Sequence, residues 1–448
     1  MRRYPAYKNS GVKWLGEVPE GWAVRRFKEF LKERDERSID GSETLLSVSA
    51  YTGVPSRSDH IEEGAFLTRA ESLEGYKVCS KNDLVMNIML AWNRAQGITG
   101  HDGIVSPAYA VFSCDRTVNS AYLNYLVPSD DYCLYFKVYS AGVIDSRLRL
   151  YPDTFGRLHR ILPPLAEQQA IAAFLNRETA KIDALVEEQR RLIALLAEKR
   201  QAVISHAVTR GLNPDAPLKP SGIDWLGDIP DGWEVRPLKS VATVQTGIAK
   251  GKAVDPLKRL EIPYVHVANV QDGYLDLAEV ATIGIEADQV DRYLLRPGDV
   301  LMNEGGDFDK LGRGAIWGGE VSPCIHQNHV FAVRPADISS DWLSTIIGSD
   351  YAKFYFMTRS KQSTNLASIS STNLMNLPVL IPGSDEQQGI IAFLRKEGDA
   401  FDALTATATT AIALLQERRA ALISAAVTGK IDVRDLSSQT LSECLEPA

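Results

Sequence analysis

The chain has little cysteine, a deficit of basic charge and no long apolar run, and each shortage excludes a class of protein. No stretch of about 18 apolar residues occurs, so no membrane-spanning helix is expected. Met1-Arg2-Arg3-Tyr4-Pro5 is not followed by an apolar segment, so a secretory signal is not expected either. Five cysteines (Cys79, Cys114, Cys133, Cys324 and Cys444) lie scattered without a C-x-x-C spacing. That spacing argues against a structural zinc site and against a disulfide framework. The expectation is a reduced, cytoplasmic protein. Lys and Arg number 49 against 57 Asp and Glu, a net charge of −8. This argues mildly against a nucleic-acid partner, whose protein footprint is usually basic. Charge can be segregated between faces, however, and clusters such as Arg57, Arg69 and Arg94, or Lys310 and Arg313, could build a local basic face.

What the chain does have is a duplication. Glu167-Gln168-Gln169 opens a segment running through Phe174-Leu175, Asp183-Ala184-Leu185, Ile193-Ala194-Leu195-Leu196 and Ile204-Ser205. The same pattern returns 219 positions later as Glu386-Gln387-Gln388, Phe393-Leu394, Asp402-Ala403-Leu404, Ile412-Ala413-Leu414-Leu415 and Ile423-Ser424. A second repeated motif pairs Trp14-Leu15-Gly16, Pro19 and Gly21-Trp22 with Trp225-Leu226-Gly227, Pro230 and Gly232-Trp233. The long stretches between these bookends do not align with each other. One scaffold, written twice, carries two different inserts.

After each Glu-Gln-Gln the apolar residues fall at alternating three- and four-residue steps, the seam of a left-handed coiled coil. In the first copy the predicted seam is Ile171, Leu175, Ile182, Leu185, Leu192, Leu196 and Val203, with Glu178, Gln189 and Lys199 at polar seam positions. In the second it is Ile390, Leu394, Phe401, Leu404, Ala408, Ala411, Leu415 and Leu422, interrupted by Glu397 and Arg418. Pro163-Pro164 and Pro382 precede these helices, and Gly211 and Gly429 follow them, as helix boundaries require. Matched seams predict that the two helices pair antiparallel as a spacer; the alternative is that each packs onto its own domain.

The inserts read as mixed α+β. Strand-like alternations such as Thr44 to Ser49, Leu84 to Met89 and Tyr109 to Phe112 recur in the second as 262–267, 300–302 and 329–333. Helices are predicted over 121–126, 132–138, 342–347 and 351–356. The fold class is therefore α+β: two globular mixed domains joined by two long antiparallel helices, a tandem repeat with a pseudo-twofold. The predicted divisions are 1–165, a first helical spacer at 166–212, 213–385, a second spacer at 386–431 and a tail at 432–448.

Pro163-Pro164-Leu165 with Glu167-Gln168-Gln169-x-Ile171, its twin Glu386-Gln387-Gln388-x-Ile390, and Trp-Leu-Gly-x-x-Pro-x-Gly-Trp at 14–22 and 225–233 carry a resemblance. So does Pro297-Gly298-Asp299-Val300-Leu301-Met302-Asn303, echoed by Lys81-Asn82-Asp83-Leu84-Val85-Met86-Asn87. Together they resemble the specificity (S) subunit of type I restriction–modification systems over nearly the whole chain. One departure is Pro382-Gly383-Ser384, where the first copy has Pro-Pro-Leu. The resemblance implies two target-recognition domains, each reading half of a split, asymmetric double-stranded DNA site. It implies helices that space the readers and dock two adenine methyltransferase (M) subunits. An ATP-dependent translocase and nuclease (R) subunit would complete the complex. S-adenosylmethionine, ATP and Mg²⁺ would belong to those partners, with no cofactor on this chain and no membrane involved.

Base reading calls for Arg toward guanine and Asn or Gln toward adenine, and phosphate contacts for Lys, Arg, Ser or Thr. Candidates in the first domain are Arg94, Gln96, His101, Ser146, Arg147 and Arg149. In the second they are Lys310, Arg313, His326, Gln327, Asn328, Arg359, Lys361, Gln362 and Thr364. The segments 140–149 and 358–365 stand at the same place before their helices, and the latter is the preferred contact loop. Signals of catalysis are weak. Ser106-Pro107-Ala108-Tyr109 lacks the second proline of an amino-methyltransferase loop, and no glycine-rich nucleotide loop follows an early strand. Gly247 to Lys252 is one residue short of a phosphate loop, with Ala253 in place of its Ser or Thr. His326-x-x-His329 has no third ligand in view. Neither a catalytic nor a metal site is expected. A non-catalytic coiled-coil adaptor joining two protein-binding domains is the competing reading.

Overall fold

The computed structural model describes residues 2–48, 54, 72–251, 259–308, 311–363 and 366–436. Arg57, Arg69, Lys310, Thr364, Cys444 and the side chain of Ser146 therefore lie outside the described residues. The chain divides into two compact units: residues 1–189 with 409–448, and residues 190–408. The first long helix, Leu165–Arg210, and the second, Ser384–Val427, each contribute one half to each unit.

In the first unit, strands Leu31–Arg34, Tyr109–Cys114, Leu84–Asn87 and Gln96–Ile98 lie in that order in one antiparallel sheet. Every side chain of Leu84–Asn87 is buried. Leu84 and Met86 face a core with Phe27, Phe112, Phe136 and Phe155, whereas Val85 faces a second cluster with Leu46, Cys79, Val105 and Val111. A strand covered on both faces needs a continuous apolar run, which explains why this segment does not alternate. Helices Ser120–Leu126 and Asp130–Tyr139 pack on the larger core.

The second unit repeats this plan. Strands Ala242–Thr246, Val330–Pro335, Val300–Asn303 and Gly314–Ile316 form a four-stranded antiparallel sheet in the same order. Val300 and Met302 face one core and Leu301 another, and helices Ser340–Ile347 and Asp350–Arg359 follow. The two inserts, unalignable as sequence, are thus one fold. In the second unit Ala281–Glu286, Arg259–Val265 and Ile325–His326 form a further three-stranded sheet.

The long helices hold 46 and 44 residues, or about 69 and 66 Å at 1.5 Å per residue. Each start is closed by its motif: Gln168 Nε2 donates to the Pro163 carbonyl at 2.8 Å, and Gln387 Nε2 to Pro382 at 2.9 Å. Each end is a glycine in the left-handed region, Gly211 (φ +73°) and Gly429 (φ +74°), as a helix C-terminus prefers. A Cβ on Gly429 would come within 2.5 Å of Pro19 and 3.1 Å of Trp22; one on Gly211 would meet Trp233 at 3.3 Å. The repeated Pro and Trp are therefore seats for helix ends. In the first unit the entry motif seats the end of the second helix; in the second unit it seats the end of the first.

The helices pack antiparallel within each unit. In the first unit, Ile171 and Leu175 share a core with Ala426 and Val427, and Asp183 pairs with Arg419 at 2.9 Å. In the second, Ile390 shares a core with Ala207 and Val208, and Arg200 pairs with Asp402 at 2.5 Å. The two ion pairs are the same pair, shifted by the repeat.

The seam itself needs correction. Leu185, Leu192 and Leu404 point to solvent, Leu185 being 51% and Leu404 52% exposed. Val186 is buried and Ile193 and Thr405 partly buried in their place. The predicted alternation stepped from Leu175 to Glu178, whereas the helix steps from Leu175 to Thr179. The Thr179 hydroxyl lies 3.1 Å from that of Tyr125 and donates to the Leu175 carbonyl. The three- and four-residue steps thus exchange places after Leu175: alternate positions move by one, from Glu178, Leu185, Leu192 and Lys199 to Thr179, Val186, Ile193 and Arg200, while Ile182, Gln189, Leu196 and Val203 keep theirs. Ile171, Leu175, Ile182, Leu196, Ile390 and Phe401 are buried, and Val203, Leu394, Leu415 and Leu422 partly so.

Candidate nucleic-acid interface

Each unit projects a loop from the same place. In the first unit it runs from Ser140 to Leu150, after helix Asp130–Tyr139; in the second it runs from Ser360 to Ile369, after helix Asp350–Arg359. Both are anchored alike. The Leu150 amide donates to the Ile88 carbonyl at 2.8 Å, and the Ile369 amide to Glu304 at 2.9 Å; Leu150 and Ile369 are fully buried. Above these anchors the loops diverge. The first closes with a two-way backbone bridge between Ala141 and Arg149, both bonds 2.9 Å. The second is a hairpin of Lys361–Ser363 and Leu366–Ser368 that pairs with Gly305–Gly306. The two loops thus share a fixed base and differ in the pairing above it.

Arg147 and Arg149 are exposed on the first loop, and neither has an ion-pair partner among the described residues. Arg359, Lys361 and Gln362 are exposed on or beside the second. His101 is exposed at a turn where the Thr99 hydroxyl bonds its amide and carbonyl. Arg94 is committed to Asp130, a contact that raises its pKa. Arg313 is partly buried and donates to Gln271 Oε1 at 3.2 Å. Gln327 and Asn328 are partly buried, and beside them His329 Nδ1 lies 2.7 Å from Glu304 Oε2.

Two candidates are overturned as direct DNA contacts. Gln96 is buried and donates to the Val127 carbonyl at 2.9 Å. His326 is fully buried, its Nδ1 2.7 Å from the Val330 carbonyl, and burial pushes its pKa down. Both lie on strands whose inward faces fill the core, which isolated donor-rich clusters in the sequence do not reveal.

Comparison with known proteins gives a consistent likeness. Residues 230–414 match the type I restriction modification DNA specificity domain. The chain is 22% identical to the MjaVIII type I restriction enzyme specificity subunit of Methanocaldococcus jannaschii, covering 96% of this chain and 98% of that one. It is 21% identical to the EcoKI specificity subunit of Escherichia coli, over 93% and 90% of the two chains. Along nearly its whole length the chain is thus similar to type I restriction–modification specificity subunits. A solved chain, from work on complex assembly and conformational transition of the type I R-M system, has the same fold with a TM-score of 0.61. It is 18% identical, covering 92% of this chain and 99% of that one.

No group of three or more His, Cys, Asp or Glu among the described residues could hold a metal ion. Burial pushes the thiols of Cys79 up to about 12 and of Cys114, Cys133 and Cys324 up to about 11, so none is a ready nucleophile. No helix among the described residues is long and apolar enough to cross a membrane.

Sequence reasoning missed two exposed apolar features of the chain. One is Val143-Ile144 at the first loop's tip; a β-branched pair between Gly142 and Asp145, outside any periodic element, was the available signal. The other is a set of solvent-facing leucines on the long helices. Leu185 and its equivalent Leu404 are both exposed, as are Leu195 and its equivalent Leu414.

Proposed function

We propose that this specificity subunit directs adenine methylation and DNA restriction without catalysing either, each globular domain reading one half of a bipartite duplex site. The observation that carries the reading is one anchored loop, built twice from the same scaffold, with two unlike backbone pairings above the anchor. Arg147 and Arg149 on one loop, and Arg359, Lys361 and Gln362 by the other, are the exposed groups suited to phosphates and base edges. The long helices are assigned the spacer role, so that their length fixes the unread gap between half-sites.

Docking of two adenine methyltransferase subunits is supported by the leucines that face solvent at equivalent positions of both helices. A surface repeated in this way suits one partner bound twice. Those partners would hold S-adenosylmethionine, and a translocase–nuclease subunit would bring ATP and Mg²⁺ chemistry.

The test is adenine-methylation mapping of cells that express the chain with its neighbouring methyltransferase. A split methylated motif is expected, and it should vanish when this chain is deleted. Replacing residues 1–165 with another reader should change one half of the motif only. A motif that survives deletion of the chain would defeat the proposal.

A further inference from the structure

Val143 stands 99% exposed at the tip of the first loop, and Ile144 beside it is exposed in an extended conformation. An isolated surface apolar residue needs no explanation, but this pair is held out by a built device. The Ala141–Arg149 bridge closes the loop, and Lys137 Nζ meets Asp145 at 2.8 Å across its base. Gly142 (φ +147°) packs so tightly that a Cβ there would lie 2.7 Å from the Arg147 carbonyl. Leu148 and Leu150 turn inward as buried anchors. The next cations along the loop are Arg147 and Arg149, while Lys137 and Asp145 neutralise one another. The tip is therefore an apolar point with two positive charges behind it that have no ion-pair partner among the described residues.

We infer that Val143 and Ile144 read the 5-methyl group of a thymine in the major groove of the half-site taken by the first domain, while Arg147 and Arg149 engage the flanking phosphates. This deepens the function proposed above and rests on it. Duplex DNA is favoured over a protein partner by the paired cations, because phosphates flank every base edge. Short β-branched side chains also suit a methyl group at the groove floor better than insertion between stacked bases. Apolar contact to the thymine methyl is an established way of telling thymine from cytosine.

The experiment uses the chain in complex with its methyltransferase. The motif is read by methylation mapping, and the relevant half-site is identified by exchanging residues 1–165. Labelled duplexes then carry uracil in place of each thymine of that half-site in turn, removing only the methyl group. At one position the wild-type complex should bind about three- to five-fold more weakly, the size expected for one lost methyl contact. The complex carrying Val143→Ser and Ile144→Ser should not distinguish uracil from thymine there. At so exposed a site these changes leave folding intact. The inference is overturned if no thymine responds, if the half-site contains none, or if the response persists in the double variant. It is equally overturned if the double variant loses its methyltransferase on gel filtration, which would make the tip a protein-docking point. A wild-type complex that yields no bipartite motif would instead remove the underlying function, a failure visible before any uracil duplex is tested.

Discussion

The two exposed arginines of the first loop permit a quantitative test of DNA binding. Each protein–phosphate contact on duplex DNA releases counterions and contributes about 0.9 to the slope of log affinity against log salt. Arg147 and Arg149 have no ion-pair partner among the described residues, so neither must break an internal pair before meeting a phosphate. Arg94 is bound to Asp130, and its removal also frees an acidic group. Replacing Arg147 and Arg149 by Ala should therefore lower the slope by about 1.8. Between roughly 50 and 200 mM salt, the wild-type complex should lose about 12-fold more affinity than the double variant, since four raised to 1.8 is about 12. Fluorescence anisotropy of the complex on its own duplex, titrated at several salt concentrations, reads the slope directly. An unchanged slope would refute the assignment of this loop to DNA. A salt-independent affinity in the wild type would favour the adaptor reading instead.

Other expectations follow from particular residues. Ile182→Ala, on the buried seam, should cost about 2–4 kcal/mol in chemical denaturation. Leu185→Ser with Leu404→Ser should leave the unfolding midpoint of the chain almost unchanged but reduce methyltransferase binding on gel filtration; a stability loss equal to that of Ile182→Ala would restore the first seam. Arg160 is fully buried against the ring of Phe30, with no hydrogen bond from its guanidinium among the described residues, and burial pushes its pKa down to about 10. The equivalent residue of the second copy is Val379, so Arg160→Met should be neutral or stabilising by about 1–4 kcal/mol; a large loss would mean the cation has a buried partner. His326 has its pKa lowered by burial, so the unfolded chain binds the extra proton first. Its contribution to stability is complete above the unfolded value near 6.5 and falls as pH drops toward the folded pKa. His326→Gln should flatten the stability profile of the isolated chain between about pH 7 and 5; an unaltered profile would show that another group governs it.

The amino-acid sequence alone determined the duplication, the long helices and their ends, and through the repeated motifs it pointed to the family. These features are local: Pro before a helix, Gly after it, and apolar residues at helical spacing are legible wherever they occur. It also suggested Arg147 and Arg149, because loop cations between predicted elements seldom have anywhere to go but solvent. Only the tertiary structure decided which alternate positions fill the seam, since Thr179 is buried beside Tyr125 of the globular domain. It likewise decided that Gln96 and His326 are interior, because which face of a strand is covered depends on strands far away in the chain. The common fold of the two inserts was hidden for the same reason: burial constrains Leu84–Asn87 and Val300–Asn303 alike, while exposed positions such as Arg147 and Lys361 are free to differ.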